Sequence, residues 1–201
     1  MSEIETFILA GGKSSRMGRN KALLELGGEP LILRMARLVE EATGKPTVIG
    51  PSAMFQGFGL NSVEDDWPGA GPLGGIATAL RVSKAGWNLI VACDLPHLTR
   101  EWLRYLTQRA ENSRADAVIP ENDLGAEPLC ACYRKRNEAA IREALERGVR
   151  KVTEGLGTLN VEKIALGEWK PFDSDGLLFK NMNIPADYVE AKARLNGRTN
   201  P

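Results

Sequence analysis

The sequence predicts an α/β protein with a mainly parallel central sheet. Short apolar runs alternate with amphipathic helical segments, which is the pattern of β-α-β units. The clearest unit runs from a strand at residues 6–10, through a helix, to a strand at residues 46–50. Residues 87–93 are almost continuously apolar, as expected for a central strand that is buried on both faces. Right-handed crossovers are expected to connect the parallel neighbours.

Local signals predict where the elements begin and end. Pro30 begins the first helix, whose apolar residues fall mostly on one face, and Gly44 ends it. The glycine-rich segment 69–75 precedes a helix that is predicted from Ile76. Thr99 is expected to cap the following helix, because its hydroxyl can accept a hydrogen bond from an unpaired backbone N–H.

The second half of the chain continues the alternation. The predicted elements are strands at 116–120, 129–133 and 161–166 and helices at 137–147 and 186–195. No internal repeat, low-complexity segment or linker divides the sequence, so a single domain over residues 1–201 is expected.

The composition excludes several classes of function. Twenty-six basic residues balance twenty-six acidic ones, which argues against an extended nucleic-acid interface. No apolar stretch approaches the ~20 residues of a membrane span, and the N-terminus lacks the apolar region of a signal peptide. The odd number of cysteines suits a reducing compartment, and Cys130 and Cys132 are expected to pack in the core. A cytoplasmic protein is therefore expected.

The first predicted strand ends in a glycine-rich, basic loop. Gly11 and Gly12 permit close approach of a ligand to the backbone, and Lys13, Arg16 and Lys21 add positive charge. Such a loop suits a polyphosphate, although a solvated glycine turn would have the same composition. Its spacing matches neither a P-loop nor the dinucleotide-binding G-x-G-x-x-G.

Polar side chains also follow other predicted strands, where ligands gather in α/β sheets. These residues are Asp65, Asp94, Asn181 and Asn183. Asp94, directly after the most apolar strand, can bind Mg²⁺, a hard ion that prefers oxygen ligands. A turn or helix-capping role is the alternative for Asp94, and capping of the last helix is the alternative for the asparagines.

Four segments, in this order, resemble one known family. They are L-A-G-G-K-S-S-R-M-G-R-N-K (9–21), G-P-L-G-G (71–75), C-D-L-P (93–96) and F-K-N-M-N-I-P-A-D (179–187). Together they resemble the molybdenum cofactor guanylyltransferases, or MobA proteins. The resemblance implies a Rossmann-like, three-layer nucleotidyltransferase (GT-A-like) fold, with nucleotide binding up to about residue 98 and acceptor binding in the remainder.

The resemblance also implies roles for individual residues. The nucleotide would be bound by Leu9, Ala10, Gly11, Gly12, Lys21, Asp65, Gly71, Pro72, Leu73 and Asp94. Arg16, Lys21 and Asp94 would be catalytic, with Asp94 holding Mg²⁺ or Mn²⁺. The acceptor would be bound by Gly74, Arg150, Asn181 and Asn183, although a solvated helix-end position is an equal alternative for Arg150. Two departures from the family pattern are Ile184, in place of the usual Thr, and the Gly50-Pro51 turn, where the family often has an Asn.

The implied reaction transfers GMP from GTP to the terminal phosphate of Mo-molybdopterin and releases pyrophosphate. Ala10-Gly11-Gly12 together with residues 71–75 resembles the guanine-selecting members. The alternatives are a CTP-dependent molybdopterin cytidylyltransferase, a sugar- or alcohol-phosphate nucleotidyltransferase, and a catalytically silent nucleotide or cofactor carrier. GTP and the molybdopterin cofactor are the implied partners, with molybdoenzyme apoproteins or their chaperones as further candidates.

Overall fold

The computed structural model describes residues 4–11 and 20–198. The strands, in chain order, are β1 (Ile4–Leu9), β2 (Glu25–Leu26), β3 (Glu29–Pro30), β4 (Thr47–Ile49), β5 (Asn61–Val63), β6 (Trp87–Ala92), β7 (Ala117–Asn122), β8 (Gly125–Ala126), β9 (Cys130–Arg134) and β10 (Val161–Ile164). Within these described residues, eight strands form one sheet in the order β10-β7-β9-β6-β1-β4-β5, with β8 paired to β7. Strands β2 and β3 form a separate hairpin.

The sheet is mainly parallel, as the sequence predicts. β6 lies at the centre of this order, and the neighbouring β1 pairs in parallel with β6 on one side and β4 on the other. β4 continues in parallel to β5, and β7 to β10. The strand between β6 and β7 in this order is β9, which runs antiparallel to both. The carboxyl ends of β1, β4 and β6 therefore lie along one edge of the sheet.

Helices cover both faces of this sheet. They are α1 (Leu31–Thr43), α2 (Ser52–Phe55), α3 (Pro72–Val82), α4 (Arg100–Glu111), α5 (Glu138–Glu146), α6 (Val152–Gly155), α7 (Leu166–Trp169) and α8 (Pro185–Arg198). One hydrophobic core joins the sheet to α1, α4 and α8, and a second joins its other face to α3, α5 and α6. Alternation along β6 supplies both cores, since Leu89 and Val91 face the first and Ile90 the second. The result is the expected three-layer α/β arrangement.

Several local predictions hold in detail. Gly44 ends α1 with a φ of 106°, and the Thr99 hydroxyl accepts a hydrogen bond from Trp102 N at 3.2 Å. The predicted start of α3 was wrong, because this helix begins at Pro72 rather than at Ile76. Proline suits the first helical position, where its missing N–H has no helical partner, and Gly71 provides the left-handed φ of 74° that precedes it.

Two further findings concern the composition. Cys93, Cys130 and Cys132 are free and buried, so Cys130 and Cys132 pack in the core as expected. Across residues 4–11 and 20–198, every helix is either too short or too polar to cross a membrane.

Candidate active site

A cavity of about 190 Å³ lies at the carboxyl edge of the sheet, beside β1 and β6. Its lining residues come from five parts of the chain: Leu9, Ala10 and Gly11; Asn20, Lys21 and Ala22; Pro72; Ala92, Cys93 and Asp94; and Leu129. This location is where ligands bind in open α/β sheets. The cavity brings together Leu9, Ala10, Gly11, Lys21, Pro72 and Asp94 from the predicted nucleotide site.

Backbone hydrogen bonds hold the floor of the cavity rigidly. Ala10 N donates to Ile49 O at 2.9 Å, and Cys93 N donates to Leu9 O at 3.0 Å. Gly50 packs directly beneath, where an added Cβ would lie 3.1 Å from both Ala10 C and Gly11 N. The Gly50-Pro51 turn therefore supports the start of the glycine loop and is absent from the described cavity lining.

Lys21, Asp94 and Asn183 meet at this edge. The Lys21 ammonium donates to Asp94 Oδ2 at 3.1 Å and to Asn183 Oδ1 at 2.8 Å. Met182 N donates to Asp94 O at 2.9 Å, which fastens the segment before α8 to the end of β6. Two oxygens from distant parts of the chain thus converge on one cation.

Local capping positions Lys21 and Asn183. The Asn20 side chain accepts a hydrogen bond from Ala22 N at 3.0 Å and begins a 3₁₀ turn over Lys21–Leu23. At the other segment, Asp187 Oδ2 accepts from Asn183 N at 2.7 Å and from Ile184 N at 2.9 Å. These bonds hold the pKa of Asp187 below its usual value. Asp187 caps this end of α8, so the Asn183 side chain is directed to Lys21 instead.

The residues at the start of α3 have different surroundings. Pro72 lines the cavity, whereas Leu73 is fully buried and lies against Gly155. Gly74 is buried against Trp67, because an added Cβ would come within 2.8 Å of the Trp67 Cβ. The structure therefore places Leu73 and Gly74 beneath the surface of this helix end, where they pack rather than line the described cavity.

Other predicted site residues lie outside the cavity lining. Asp65 Oδ1 lies 3.0 Å from Trp67 N and 3.0 Å from the Thr78 hydroxyl, and so stabilises the loop before α3. Arg150 Nη1 donates to Leu145 O at 3.0 Å, which corresponds to the helix-end alternative. Asn181 lies beside His97 and residues of α8 and is not among the residues that line the cavity. Gly71 forms the turn into α3, and Gly12 and Arg16 lie outside the described residues.

The oxygens at Lys21 suit a hard divalent cation. In the described part of the chain, no cluster of three His, Cys, Asp or Glu side chains could hold a metal ion. Mg²⁺, however, uses few protein carboxylates and completes its shell with water and phosphate oxygens. Asp94 Oδ2 and Asn183 Oδ1 already share one cationic partner. Burial and the nearby Asp94 carboxylate raise the pKa of the Cys93 thiol well above its usual range, and a soft sulfur is a poor ligand for Mg²⁺.

Comparison with known proteins identifies the family. Residues 6–161 match the family described as the MobA-like NTP transferase domain. The chain belongs to this MobA-like family. It is 35% identical, over 96% of its length and 94% of the relative, to a probable molybdenum cofactor guanylyltransferase of Pelotomaculum thermopropionicum. It is also 33% identical, over 98% of its length and 99% of the relative, to a probable molybdenum cofactor guanylyltransferase of Bacillus cereus strain Q1.

A solved member of the same group has the same fold. The molybdopterin-guanine dinucleotide biosynthesis protein A of Archaeoglobus fulgidus superposes with a TM-score of 0.84 at 27% identity, over 96% of this chain and 99% of that one. The expected nucleotidyltransferase fold is thereby confirmed.

Sequence reasoning missed several residues of this MobA-like cavity. They are Asn20, Ala22, Ala92, Cys93 and Leu129. Asn20 lies inside the Leu9–Lys21 segment, and Ala92 and Cys93 immediately precede Asp94, so their positions carried a usable signal. Leu129 is different: Ala92 N donates to Leu129 O at 2.8 Å, a contact made through the antiparallel strand β9.

Proposed function

We propose that this chain transfers GMP from GTP to the terminal phosphate of Mo-molybdopterin and releases pyrophosphate. The observation that carries the proposal is the similarity to molybdenum cofactor guanylyltransferases over 96% of the chain or more. The cavity agrees with it, since Lys21 and Asp94 lie together beside Ala10 and Gly11 at the carboxyl edge of the sheet.

The proposed chemistry needs no strong base. The acceptor phosphate is already an anionic nucleophile, so its oxygen forms a bond to the α-phosphorus while the bond to the bridging α,β-oxygen breaks. The electron pair leaves with pyrophosphate. Catalysis then consists of in-line positioning and neutralisation of charge, and an ammonium beside a glycine loop can supply part of both.

The roles of individual residues follow from this scheme. Lys21 and Arg16 bind the triphosphate and assist departure of pyrophosphate. Asp94 holds the metal ion, Mg²⁺ or Mn²⁺, and Asn183 offers a second oxygen near it. When bound, the ion would supply positive charge that stabilises the negative charge developing on the phosphate groups.

Binding of the two substrates divides the chain near residue 98. The nucleotide is proposed to lie along Leu9 to Gly12, with Asp65 and the Gly71-Pro72-Leu73 turn nearby. The acceptor is proposed to lie toward Gly74, Arg150, Asn181 and Asn183. The packing of Leu73 and Gly74 means that any contact from these two residues is made by backbone groups.

The cellular setting is part of the same proposal. Free, buried cysteines suit a reducing compartment, and we place the activity in the cytoplasm. The dinucleotide product would pass to molybdoenzyme apoproteins or their chaperones, which makes these the proposed protein partners.

Calorimetric titration with GTP, CTP, ATP and UTP in the presence of Mg²⁺ tests the assignment. Preferential binding of GTP, followed by GMP transfer to molybdopterin in a turnover assay, is the expected result. Preference for CTP would move the chain to cytidylyl transfer, and nucleotide binding without turnover would indicate a carrier. The same titration is carried out with Lys21→Met, which removes the proposed triphosphate ligand. Lys45→Met is its matched control, because Lys45 is exposed and precedes β4 at the opposite edge of the sheet.

A further inference from the structure

The Lys21 ammonium lies where a metal ion would be expected. It contacts Asp94 Oδ2 at 3.1 Å and Asn183 Oδ1 at 2.8 Å, and these are the oxygens that suit a hard cation. The site is partly shielded from solvent, with side-chain exposures of 20% for Lys21 and 25% for Asp94. The position between Asp94 Oδ2 and Asn183 Oδ1 therefore holds the Lys21 ammonium and also suits a divalent metal ion.

The backbone that carries the two oxygens is held in place by hydrogen bonds that do not involve Lys21. Asp94 follows the fully buried strand β6, and its carbonyl accepts a hydrogen bond from Met182 N at 2.9 Å. The Asp187 carboxylate accepts from Asn183 N at 2.7 Å and fixes the backbone beside the second oxygen. A cation that replaced the ammonium would find both oxygens already close together.

We propose that, in the nucleotide-free protein, the Lys21 ammonium occupies the position between Asp94 and Asn183 that the divalent cation takes in the active complex. The triphosphate withdraws Lys21 onto its own oxygens, and the vacated position then accepts the ion. Lys21 is thus a positioning residue for the metal as well as a phosphate ligand. This inference rests on the proposed nucleotidyl transfer.

Electrostatic repulsion gives the reason for the exchange. The ammonium pairs with the Asp94 carboxylate, and a dication brought to the same oxygens is repelled by the positive charge at close range. A triphosphate offers Lys21 a more negative partner, and the lysine stem is long and flexible enough to follow it. Binding of nucleotide and ion therefore become positively coupled, and the coupling must be reciprocal.

The test measures binding of Mn²⁺ alone by electron paramagnetic resonance, using the full chain without nucleotide. Lys21→Met is expected to bind Mn²⁺ about tenfold more tightly than wild type, because it removes both the competing ion pair and the repelling charge. Lys45→Met, which loses the same charge far from the site, should bind as wild type does. Lys21→Gln provides a second variant, and circular dichroism checks that each variant is folded.

Two further variants locate the ion. Adding Asp94→Asn or Asn183→Ala to Lys21→Met should reverse the gain. In wild type, a non-hydrolysable GTP analogue should tighten Mn²⁺ binding, and this effect should shrink in Lys21→Met.

Equal or weaker Mn²⁺ binding by both Lys21 variants would overturn the proposal, as would a gain that survives Asp94→Asn. The Mn²⁺ titrations that compare the Lys21 variants with wild type contain no GTP, so their outcome does not depend on guanylyl transfer. A protein that shows the Lys21 effect but transfers no GMP would refute only the proposed function, and the reverse result would refute only the exchange.

Discussion

Replacing Gly50 by alanine tests how the floor of the cavity is built. The added Cβ would lie 3.1 Å from Ala10 C and Gly11 N and 3.2 Å from Ala10 O. Ordinary contacts between carbon atoms begin at about 3.5 Å, so the neighbours must move by a few tenths of an ångström. These neighbours are backbone atoms beside Ala10 N, which donates to Ile49 O of β4 at 2.9 Å, and they cannot rotate away as a side chain could.

The expected cost is therefore that of overpacking, about 1–3 kcal/mol of unfolding free energy. For a chain of this length, the melting temperature should fall by about 2–12 °C. Because the shift acts on Ala10 and Gly11, guanylyl transfer should also fall by about tenfold. Thermal denaturation, urea denaturation and a turnover assay measure these effects.

A matched substitution separates steric strain from a general effect of replacing glycine. At Gly86 an added Cβ meets nothing within 4 Å, so Gly86→Ala should leave both stability and turnover near wild type. If Gly50→Ala were as stable and as active as Gly86→Ala, the close packing beneath the glycine loop would not be what positions it.

Three further predictions follow from the site. Lys21→Met should lower turnover by about 100-fold or more but stability by less than about 1 kcal/mol, since its ion pair is partly exposed. Ile184→Thr should raise stability by about 0.5 kcal/mol or less in urea denaturation, because a hydroxyl there can share the N–H of Asp187, which already donates to Ile184 O at 3.0 Å, and complete a capping box. Asp187→Asn should destabilise the protein near neutral pH but less at acid pH. Because folding lowers the pKa of Asp187, the carboxylate stabilises the folded protein fully above its unfolded-state pKa of 3.8. This stabilisation is lost as the pH falls through the lower pKa of the folded state.

Each of these has its own control. Similar losses of turnover and stability in Lys21→Met would show a structural rather than a catalytic residue. Ile184→Val keeps the branched side chain without the hydroxyl, so a gain in both variants would exclude capping as its cause. A gap between wild type and Asp187→Asn that stays constant with pH would contradict the role of the Asp187 carboxylate.

Local sequence signals predicted the fold well wherever a short stretch decides the structure. The Thr99 cap depends on one hydroxyl and a nearby N–H, and the burial of β6 depends on its own composition. The direction of β9 could not be read in this way. The packing of the long connections determines that an antiparallel strand lies between β6 and β7. The sequence of residues 129–133 does not by itself indicate the direction of the strand.

The candidate site shows the same difference between features that a local sequence predicts and features that depend on long-range packing. Its position at the strand ends followed from the predicted parallel sheet, and Lys21 and Asp94 lie there together. The contact between Lys21 and Asn183 depends on how α8 packs, which no local pattern reports. Asp65 and Arg150 show that a local pattern can also predict too many ligand contacts. A charged residue near a strand end or a helix end can hydrogen-bond to its own loop or helix as readily as to a ligand.

The link between Lys21 and Asn183 has a consequence for biosynthesis. The two residues are 162 positions apart, so Lys21 leaves the ribosome long before its partner has been translated. The β-α-β unit that carries the glycine loop can form early, but the second oxygen arrives only with the segment before α8. A nascent chain should therefore acquire its core before it acquires a complete cation site. Catalytic competence would then be a late event in the synthesis of each molecule.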